Sequence, residues 1–508
     1  MEFFYLFLVV FLFVLAIVDL SVGVSNDAVN FLNAAIGSKA ASFKVIILIA
    51  AMGVFVGAAL SNGMMDIARH GIYQPQHFYF SEIMCILAAV MLTDVVLLDI
   101  FNSLGMPTST TVSMVFELVG GTVAIALVKI ASSSGLYQLG DLLNTEKAFT
   151  VILGIFLSVA IAFFFGTLVQ YLSRLLFSFN YKKTSKYFIG VYAGLAATSI
   201  IYFMLIKGLK GSSFMTAEMN DFIHTYTSTI LVGCMIFFTV LMQVLHLLKV
   251  NVFKIVILMG TFALALAFAG NDLVNFIGVP LAGYSAYMDL MAQGETATPD
   301  SFLMTSLLES AKTPWYFLLG SGAVMVWALC TSKKAQNVVK TSLDLSRQSD
   351  GEEMFGTSPV ARVLVRHCSS ISAIILNIVP DSAKKWIDSR FNQDEMIMEE
   401  KASFDLVRAS VNVVLSGLLI AVGTSLKLPL STTYVAFMVA MGTSLADRAW
   451  GRESAVYRIT GVLSVIGGWF ITAGGAFLIS LDSLGWNSCL GGHDRLGDLF
   501  VGTQPYRL

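Results

Sequence analysis

The stretch "EFFYLFLVVFLFVLAIVDLSVGVSNDAVNFLNAAIGS" (residues 2–38) decides the fold class, because an apolar run leads directly into an acid and several amides. About 20 predominantly apolar residues are needed to span a bilayer as an α-helix. Similar runs recur along the 508 residues, of which 56% are hydrophobic and 13% are charged. They lack the alternation of barrel strands, and lipid satisfies no backbone polar group. The sequence therefore predicts an all-α, polytopic transmembrane protein.

Apolar spans of this kind are predicted at twelve places, with boundaries that are approximate by several residues. They cover residues 3–20, 43–60, 83–101, 112–130, 149–178, 187–207, 227–248, 252–269, 314–331, 405–426, 433–446 and 456–481. Polar segments interrupt the pattern at 25–38, 102–111, 271–285 and 424–433. Hydropathy alone does not separate a full crossing from a re-entrant, broken helix at these places.

The first span has neither a basic flank nor a small-residue cleavage site before Asp19, so it is interpreted as a retained helix rather than a signal peptide. The expected location is a bacterial-type inner membrane or plasma membrane, crossed several times.

Residues 333–402 depart from the apolar pattern, since 333–401 alone hold ten Lys/Arg and ten Asp/Glu. We interpret this insert as a solvated connector with short amphipathic helices rather than a catalytic domain. Lys333 and Lys334 follow an apolar span and favour the cytoplasmic side. Arg174 and the lysines from Lys182 onward mark a second loop that we expect on the same side.

Composition excludes several classes of function. The net charge of -2 gives no reason to expect nucleic acid as a partner. The five cysteines are scattered without metal-ligand spacing, which favours small buried hydrophobes over a redox or metal site. No nucleophile constellation, metal cluster or phosphate-binding glycine loop is found in the sequence, so an enzyme is not expected.

Two short motifs occur twice, in the same order. The first is N-D-x-V-N-F, at Asn26 and again at Asn271; the second is P-x-S-T-T, at Pro107 and again at Pro429. The chain therefore contains two homologous halves, with the charged insert adding length to the second. The predicted units are an N-terminal transmembrane repeat (1–180, the first half), connecting transmembrane helices (181–249), a C-terminal repeat in two parts (250–332 and 403–485, the second half), the insert (333–402) and a tail (486–508).

The P-x-S-T-T motif favours the start of a helix inside the membrane, because proline fits the first helical turn and polar residues precede it. The N–H groups of a first turn carry the positive end of the helix dipole and bind anions. Hydroxyl groups beside them can replace the water molecules that hydrate an anion. The predicted anion-binding hydroxyls are those of Ser109, Thr110, Thr111, Ser431, Thr432 and Thr433.

The N-D-x-V-N motif places an ionisable residue in a membrane segment. Such a residue indicates a functional site by default. Asp27 and Asp272 supply negative oxygens. Residues i, i+1 and i+4 of a helix, or of a helix interrupted here, converge on one hard cation such as Na⁺. The amide oxygens beside the aspartates belong to Asn26, Asn30, Asn271 and Asn275. The alternative is a polar clamp between helices.

Other acids lie in or near apolar spans, among them Asp94 and Asp99. We select Glu82 and Glu117 as candidates for gating or proton relay.

With both motifs duplicated, the sequence resembles the PiT family of inorganic phosphate transporters. Its signature G-A-N-D-V-A-N is matched by V-S-N-D-A-V-N from Val24 and by G-N-D-L-V-N from Gly270. The usual His after S-T-T is replaced by Val112 and Tyr434, and Ala34 stands where Thr is frequent. "GGWFITAGGAF" from Gly467 is similar to the family's closing helix.

The resemblance implies a symporter built from inverted repeats with re-entrant hairpins, taking up phosphate with Na⁺ or H⁺. It implies that the two S-T-T runs and both aspartates hold phosphate, while the four asparagines and the same aspartates hold the coupling cation.

The predicted function is therefore symport of inorganic phosphate with a cation, Na⁺ favoured over H⁺, by alternating access between the repeats. No cofactor is expected beyond the coupling ion. The sequence does not decide whether the protein forms a homodimer. The alternatives are a permease of the same fold for sulfate or another oxyanion, and a membrane receptor or enzyme. A pair of carboxyl groups beside the anion favours hydrogen phosphate, which still has a proton to donate, over sulfate.

Overall fold

The computed structural model describes residues 2–61, 65–133, 136–202, 216–294, 297–309, 313–348, 355–367, 380–426, 430–450 and 454–489. Within these ranges the regular structure is helical, and β-pairing is confined to two isolated bridges. Nine helices in the described ranges are long and apolar enough to cross a membrane. The prediction of an all-α, polytopic membrane protein is confirmed.

The helices are α1 (Glu2–Gly37), α2 (Phe43–Leu60), α3 (Phe80–Leu104), α4 (Thr110–Ser132), α5 (Leu139–Leu142), α6 (Thr145–Phe177), α7 (Lys182–Ile201), α8 (Ala217–Leu247), α9 (Val252–Ala292), α10 (Trp315–Thr331), α11 (Lys334–Ser346), α12 (359–367), α13 (Asp381–Arg390), α14 (Leu406–Ser425), α15 (Thr432–Ala446) and α16 (Ser454–Cys489).

Both N-D motifs lie inside long, uninterrupted helices. α1 has 36 residues and α9 has 41, with Pro280 inside α9. At 1.5 Å per residue each helix is longer than the hydrocarbon core, which is about 30 Å thick. The sequence allows either a continuous or an interrupted helix at each N-D motif, and the structure shows a continuous helix at both. The described segments near 25–38 and 271–285 contain no helix break at the motif.

α1 and α9 cross the bundle centre side by side and run in opposite directions. Phe13 near the start of α1 meets Tyr284 near the end of α9 edge to face, with ring centroids 6.2 Å apart. Further along α1, Phe31 contacts Phe268, which lies earlier in α9, at 5.2 Å. The antiparallel course brings the two N-D motifs to a similar level of the bundle.

The breaks predicted before both S-T-T runs are confirmed. α3 ends at Leu104 with Gly105 in the left-handed region (φ 66°), a conformation that glycine adopts without steric cost. α4 then begins after Ser109, whose backbone is extended. In the second half, α14 ends at Ser425 and α15 begins after Ser431.

The two helices that follow the breaks each pack on the longer closing helix of the opposite half. α4 packs on α16, and α15 packs on α6. Glycines allow these helices to approach closely, since a β-carbon at Gly120 would overlap the backbone of Phe477 and one at Gly166 that of Val439. Small residues at such contacts are typical of membrane helix pairs.

The first part of the charged insert is packed into the bundle, and our prediction of a solvated connector is wrong there. α11 follows α10 after a 69° bend and contacts α1, α3 and α15. Its residues Val338, Ser342 and Leu345 are buried, because the apolar side of this amphipathic helix faces the membrane helices. α13 is amphipathic but has no fully buried residue.

A buried ion-pair network joins α6, α14 and α15. The Arg174 guanidinium lies 2.8 Å from an oxygen of Asp405 and 2.6 Å from an oxygen of Asp447. Arg174 is completely buried, so it is not part of the exposed loop that we expected it to mark. The lysines that follow are placed differently, since Lys183 is exposed and pairs with Glu395 of the insert.

Candidate functional site

The two duplicated motifs meet in one buried cluster, formed by Asp27, Asp272, Thr110, Thr111, Thr432 and Thr433, which we call the aspartate–threonine cluster. Asp27 accepts a hydrogen bond from Thr110 Oγ1 at 3.1 Å and another from Thr433 Oγ1 at 2.8 Å. Asp272 accepts from Thr111 Oγ1 at 2.9 Å and from Thr432 Oγ1 at 2.5 Å. Each carboxylate thus receives one hydroxyl from its own half and one from the other.

The second asparagine of each motif extends the cluster across the interface between the halves. Asn30 Nδ2 donates to Thr433 Oγ1 at 3.0 Å. Asn275 Nδ2 donates to Thr110 and Thr111 at 3.1 and 3.0 Å. The amide oxygen of Asn275 is buried and has no hydrogen-bond partner within the described structure, so it is free to bind a cation.

The first asparagine of each motif bonds the chain break beside it, and Asn271 Nδ2 also donates to Asp272 at 2.8 Å. Asn26 Oδ1 accepts from the backbone N–H of Thr108 at 2.9 Å, and its Nδ2 donates to Asn102 at 2.7 Å. Asn271 Nδ2 donates to the Leu430 carbonyl at 2.9 Å and Oδ1 accepts from Thr424 at 3.3 Å. These contacts fix where α4 and α15 begin.

The serines of the S-T-T runs are helix caps. Ser109 Oγ accepts from the backbone N–H of Val112 at 3.2 Å, and Ser431 Oγ accepts from Tyr434 at 3.1 Å. Serine at this position satisfies an N–H group that the helix leaves unpaired. The structure therefore places the threonines in the cluster and the serines at the helix starts.

A small cavity lies beside the cluster. Its volume is ≈ 20 Å³, and Asn30, Thr433, Asn33, Ser342 and Asn412 are among the residues that line it. A water molecule needs a cavity volume of roughly 10–15 Å³. The cavity in this conformation has room for about one water and is too small for a phosphate ion.

The two acids selected for gating or relay lie elsewhere. Glu82 bonds the Tyr79 N–H at 2.8 Å in a capping box and pairs with Lys129 at 2.6 Å. Glu117 is fully buried, two turns into α4, and accepts from Ser113 at 2.7 Å. Neither is bonded to the aspartate–threonine cluster.

Sequence reasoning missed Asn102 and Thr424, which hold the two motif asparagines. They occupy equivalent places in the two halves, since each precedes its motif proline by the same number of residues. The difference in residue type concealed the match, and only an alignment anchored on the prolines would have detected it.

The family is shown by comparison with known proteins. Residues 23–341 match the model of the phosphate transporter family. The matched region includes both N-D motifs and the first S-T-T run and covers more than half of the chain. The chain belongs to the phosphate transporter family.

Two archaeal proteins named as predicted phosphate permeases are similar in sequence. The protein of Thermococcus kodakarensis is 26% identical over 283 residues, which are 54% of this chain and 66% of that protein. The protein of Pyrococcus horikoshii is 28% identical over 266 residues, or 51% of this chain and 63% of that protein. The chain thus spans slightly less than two thirds of the length of these relatives.

A solved structure, described as that of "The sodium-dependent phosphate transporter", shares the fold. It matches with a TM-score of 0.63 and 15% identity over 95% of this chain and 100% of that one. The family and this structure are transporters rather than enzymes, in agreement with the prediction that this chain is not an enzyme.

Proposed function

We propose that this protein is a secondary transporter that carries inorganic phosphate together with a cation, Na⁺ in preference to H⁺, by alternating access between its two halves. The observation that carries the proposal is the exchange of threonine hydroxyls between the halves, in which each aspartate is bonded to one S-T-T run from each side. A site divided in this way changes shape whenever the halves move against each other.

The halves are proposed to be inverted repeats. The antiparallel course of α1 and α9 supports this arrangement, as does the reciprocal packing of α4 on α16 and α15 on α6. Transporters with inverted repeats hold substrate near the midplane, between half-helices.

The four threonine hydroxyls and the first turns of α4 and α15 form the proposed phosphate site, with Ser109 and Ser431 holding those turns in place. Helix N-termini bind anions through free N–H groups and the helix dipole. In the described structure no lysine or arginine forms an ion pair with Asp27 or Asp272. Neutral donors let phosphate leave again during each cycle.

The proposed cation site uses the oxygens of Asp27, Asp272, Asn30 and Asn275. Hard cations prefer such carboxylate and amide oxygens, and the Asn275 oxygen has no other partner within the described residues. Asn26 and Asn271 contribute by fixing the breaks. The similar solved transporter is described as sodium-dependent, which supports Na⁺ as the ion.

Binding of the two substrates is linked through the threonine protons. A hydroxyl has one proton to donate, and here each of the four threonines gives it to a carboxylate. A cation on that carboxylate makes it a weaker acceptor, so the hydroxyl turns to phosphate. The cation also offsets the repulsion between phosphate and the two acids.

Phosphate is preferred over sulfate because hydrogen phosphate has a proton to donate to a carboxylate and sulfate has none. A sulfate permease of the same fold is the second candidate, and competition by sulfate tests it.

The protein is proposed to lie in a plasma membrane or bacterial-type inner membrane with the insert on the cytoplasmic side, since basic residues next to spans stay there.

The test is uptake of radiolabelled phosphate into proteoliposomes containing the purified, full-length protein. An inward Na⁺ gradient should drive uptake more strongly than an inward proton gradient, and excess unlabelled sulfate should compete poorly. Asp27→Asn and Asp272→Asn should each abolish gradient-driven uptake, since each removes a charge from the cation site.

The matched control is Asp99→Asn, a change of the same kind at an exposed side chain on α3. Uptake that responds to neither gradient, or wild-type uptake by both cluster variants, would falsify the symport proposal. Competition by sulfate as strong as by unlabelled phosphate would favour the oxyanion permease.

A further inference from the structure

Three carboxyl groups, which we call the carboxyl cluster, lie buried in the first half outside the proposed binding site. They are Asp19 on α1, Asp94 on α3 and Glu117 on α4, and none exceeds 1% exposure. Asp19 precedes Asp27 by eight residues, a distance of about 12 Å along the helix. None of the three forms an ion pair in the described part of the chain.

The three groups are connected in a line. The side chains of Asp19 and Asp94 lie next to each other. Ser113 lies near Asp94. Its hydroxyl donates to Glu117 Oε1 at 2.7 Å. The order is therefore Asp19, Asp94, Ser113 and Glu117.

A hydrogen bond between Asp19 and Asp94 requires a proton, because two carboxylates have no hydrogen with which to bond each other. Both oxygens of Asp19, both of Asp94 and Glu117 Oε2 are buried and lack a donor among the described residues. An unpaired charge in such a place is costly, and a carboxyl group there takes up a proton instead. One proton between Asp19 and Asp94 makes the contact a hydrogen bond.

Among the described residues, the neighbouring helices supply no positive charge to replace that proton. From α1 the titratable group facing the carboxyl cluster is Asp27, with Asp272 of α9 beyond it. On α3 and α4, Glu82 and Lys129 neutralise each other at the far ends of the helices. α16 presents the hydroxyl of Ser480, which bonds the backbone carbonyl of Glu117.

The corresponding positions of the second half hold no carboxyl group. Alignment on the N-D motifs places Leu264 opposite Asp19, and alignment on the prolines places Ser416 opposite Asp94 and Val439 opposite Glu117. The proline alignment is supported by Asn102 and Thr424, which occupy matching positions and bond the matching asparagines. A group needed only to hold the repeat fold together would be expected in both halves.

We propose that Asp19, Asp94 and Glu117, joined by Ser113, form a proton-binding site that is loaded and unloaded during transport, in addition to the cation site at the N-D motifs. Asp94, when protonated, donates to Ser113 as Ser113 donates to Glu117, so one proton moves to Glu117 and the serine hydroxyl is re-formed. The coupling to transport rests on the proposed function; the bound proton does not.

The first test measures the bound proton without transport. Protonated carboxyl groups have an infrared carbonyl band separate from that of carboxylates, and the band shifts in D₂O. Purified wild-type protein near neutral pH should show this band, and Asp94→Asn and Glu117→Gln should each lose part of it. Asp99→Asn, on the same helix as Asp94 but exposed and paired with Lys334 at 2.5 Å, should leave it unchanged.

The second test measures protons moved per phosphate, with a pH-sensitive dye enclosed in proteoliposomes and radiolabelled phosphate outside. Glu117→Gln should still exchange phosphate across the membrane but move fewer protons for each phosphate taken up than wild type does. An Asp94→Asn variant that folds, judged by gel filtration in detergent, should behave in the same way.

Three results would overturn the proposal. The first is a wild-type infrared band that neither variant diminishes, and the second is an unchanged proton-to-phosphate ratio in both variants. The third is that the two variants lose ²²Na⁺ binding while their proton-to-phosphate ratio stays at the wild-type value. A wild-type protein that exchanges no phosphate contradicts the proposed function, and the infrared comparison still decides whether these carboxyls hold a proton.

Discussion

Thr111 of the first half donates its hydroxyl to Asp272 of the second half at 2.9 Å, and this contact crosses 161 positions of the chain. Thr433 makes the matching contact to Asp27, at 2.8 Å. These two bonds join the halves at the centre of the bundle and place both acids against hydroxyl donors. Relative movement of the halves must break or rearrange these bonds, together with those that Asn30 and Asn275 make across the same interface.

Thr111→Val should weaken phosphate affinity by about tenfold, a change of roughly 1.4 kcal/mol, because valine keeps the shape but removes the donor. The measurement is the KM of Na⁺-driven phosphate uptake. Thr111→Ser, which restores a hydroxyl, should recover most of the affinity. Equal KM values for the valine and serine variants would contradict a donor role for Thr111.

Thr433→Val should have the same effect as Thr111→Val, because the two threonines occupy equivalent places and bond opposite aspartates. We expect increases in KM that agree within a few-fold, measured side by side. A large effect at one position with none at the other would show that the two halves do not share the site equally.

Gly120→Ala should destabilise the protein, because the added carbon would overlap the Phe477 backbone carbonyl where α4 packs on α16. Overpacking of this kind typically costs about 1–3 kcal/mol. The control is Gly154→Ala on α6, where a β-carbon would meet no atom within 4 Å. Thermal unfolding in detergent should show a lower midpoint for the first variant and not for the second.

Arg174→Met should also be destabilising, by about 3–5 kcal/mol, because it removes an ion-pair partner from the Asp405 and Asp447 carboxylates, which stay buried. Lys183→Met removes an exposed pair with Glu395, which solvent screens, and should lower the stability far less. Thermal midpoints in the same detergent compare the two. Similar midpoints would mean that the Arg174 network contributes no more than a surface pair.

Much of the site follows from the sequence, because membrane segments rarely contain acids and both motifs are repeated. Asp27, Asp272 and the S-T-T runs are identified in that way, and the helix starts after Ser109 and Ser431 are predicted from proline and its polar neighbours. Which threonine bonds which aspartate depends on how the halves pack, and no local pattern encodes that.

Two features are hidden in the sequence for physical reasons. The N-D motifs contain the amides and acids that are typical of a helix break, yet α1 and α9 continue through them because the side chains find partners on other helices. The charge of the insert that contains α11 indicates solvated chain, yet seven of the thirteen residues of this helix are buried. Burial on one face of a short helix is decided by the surface that meets it.

The position of α11 has a consequence for the proposed transport cycle. Ser342 on this helix lines the small cavity and accepts from Asn33 at 2.9 Å, and Thr341 bonds the Gly105 carbonyl at the break before α4. Widening the cavity toward the insert therefore displaces α11 and disturbs the start of α4 at the same time. If phosphate binds this helix terminus as proposed, its release on that side and the loss of the terminus become a single event, and the charged insert would take part in determining when the site empties.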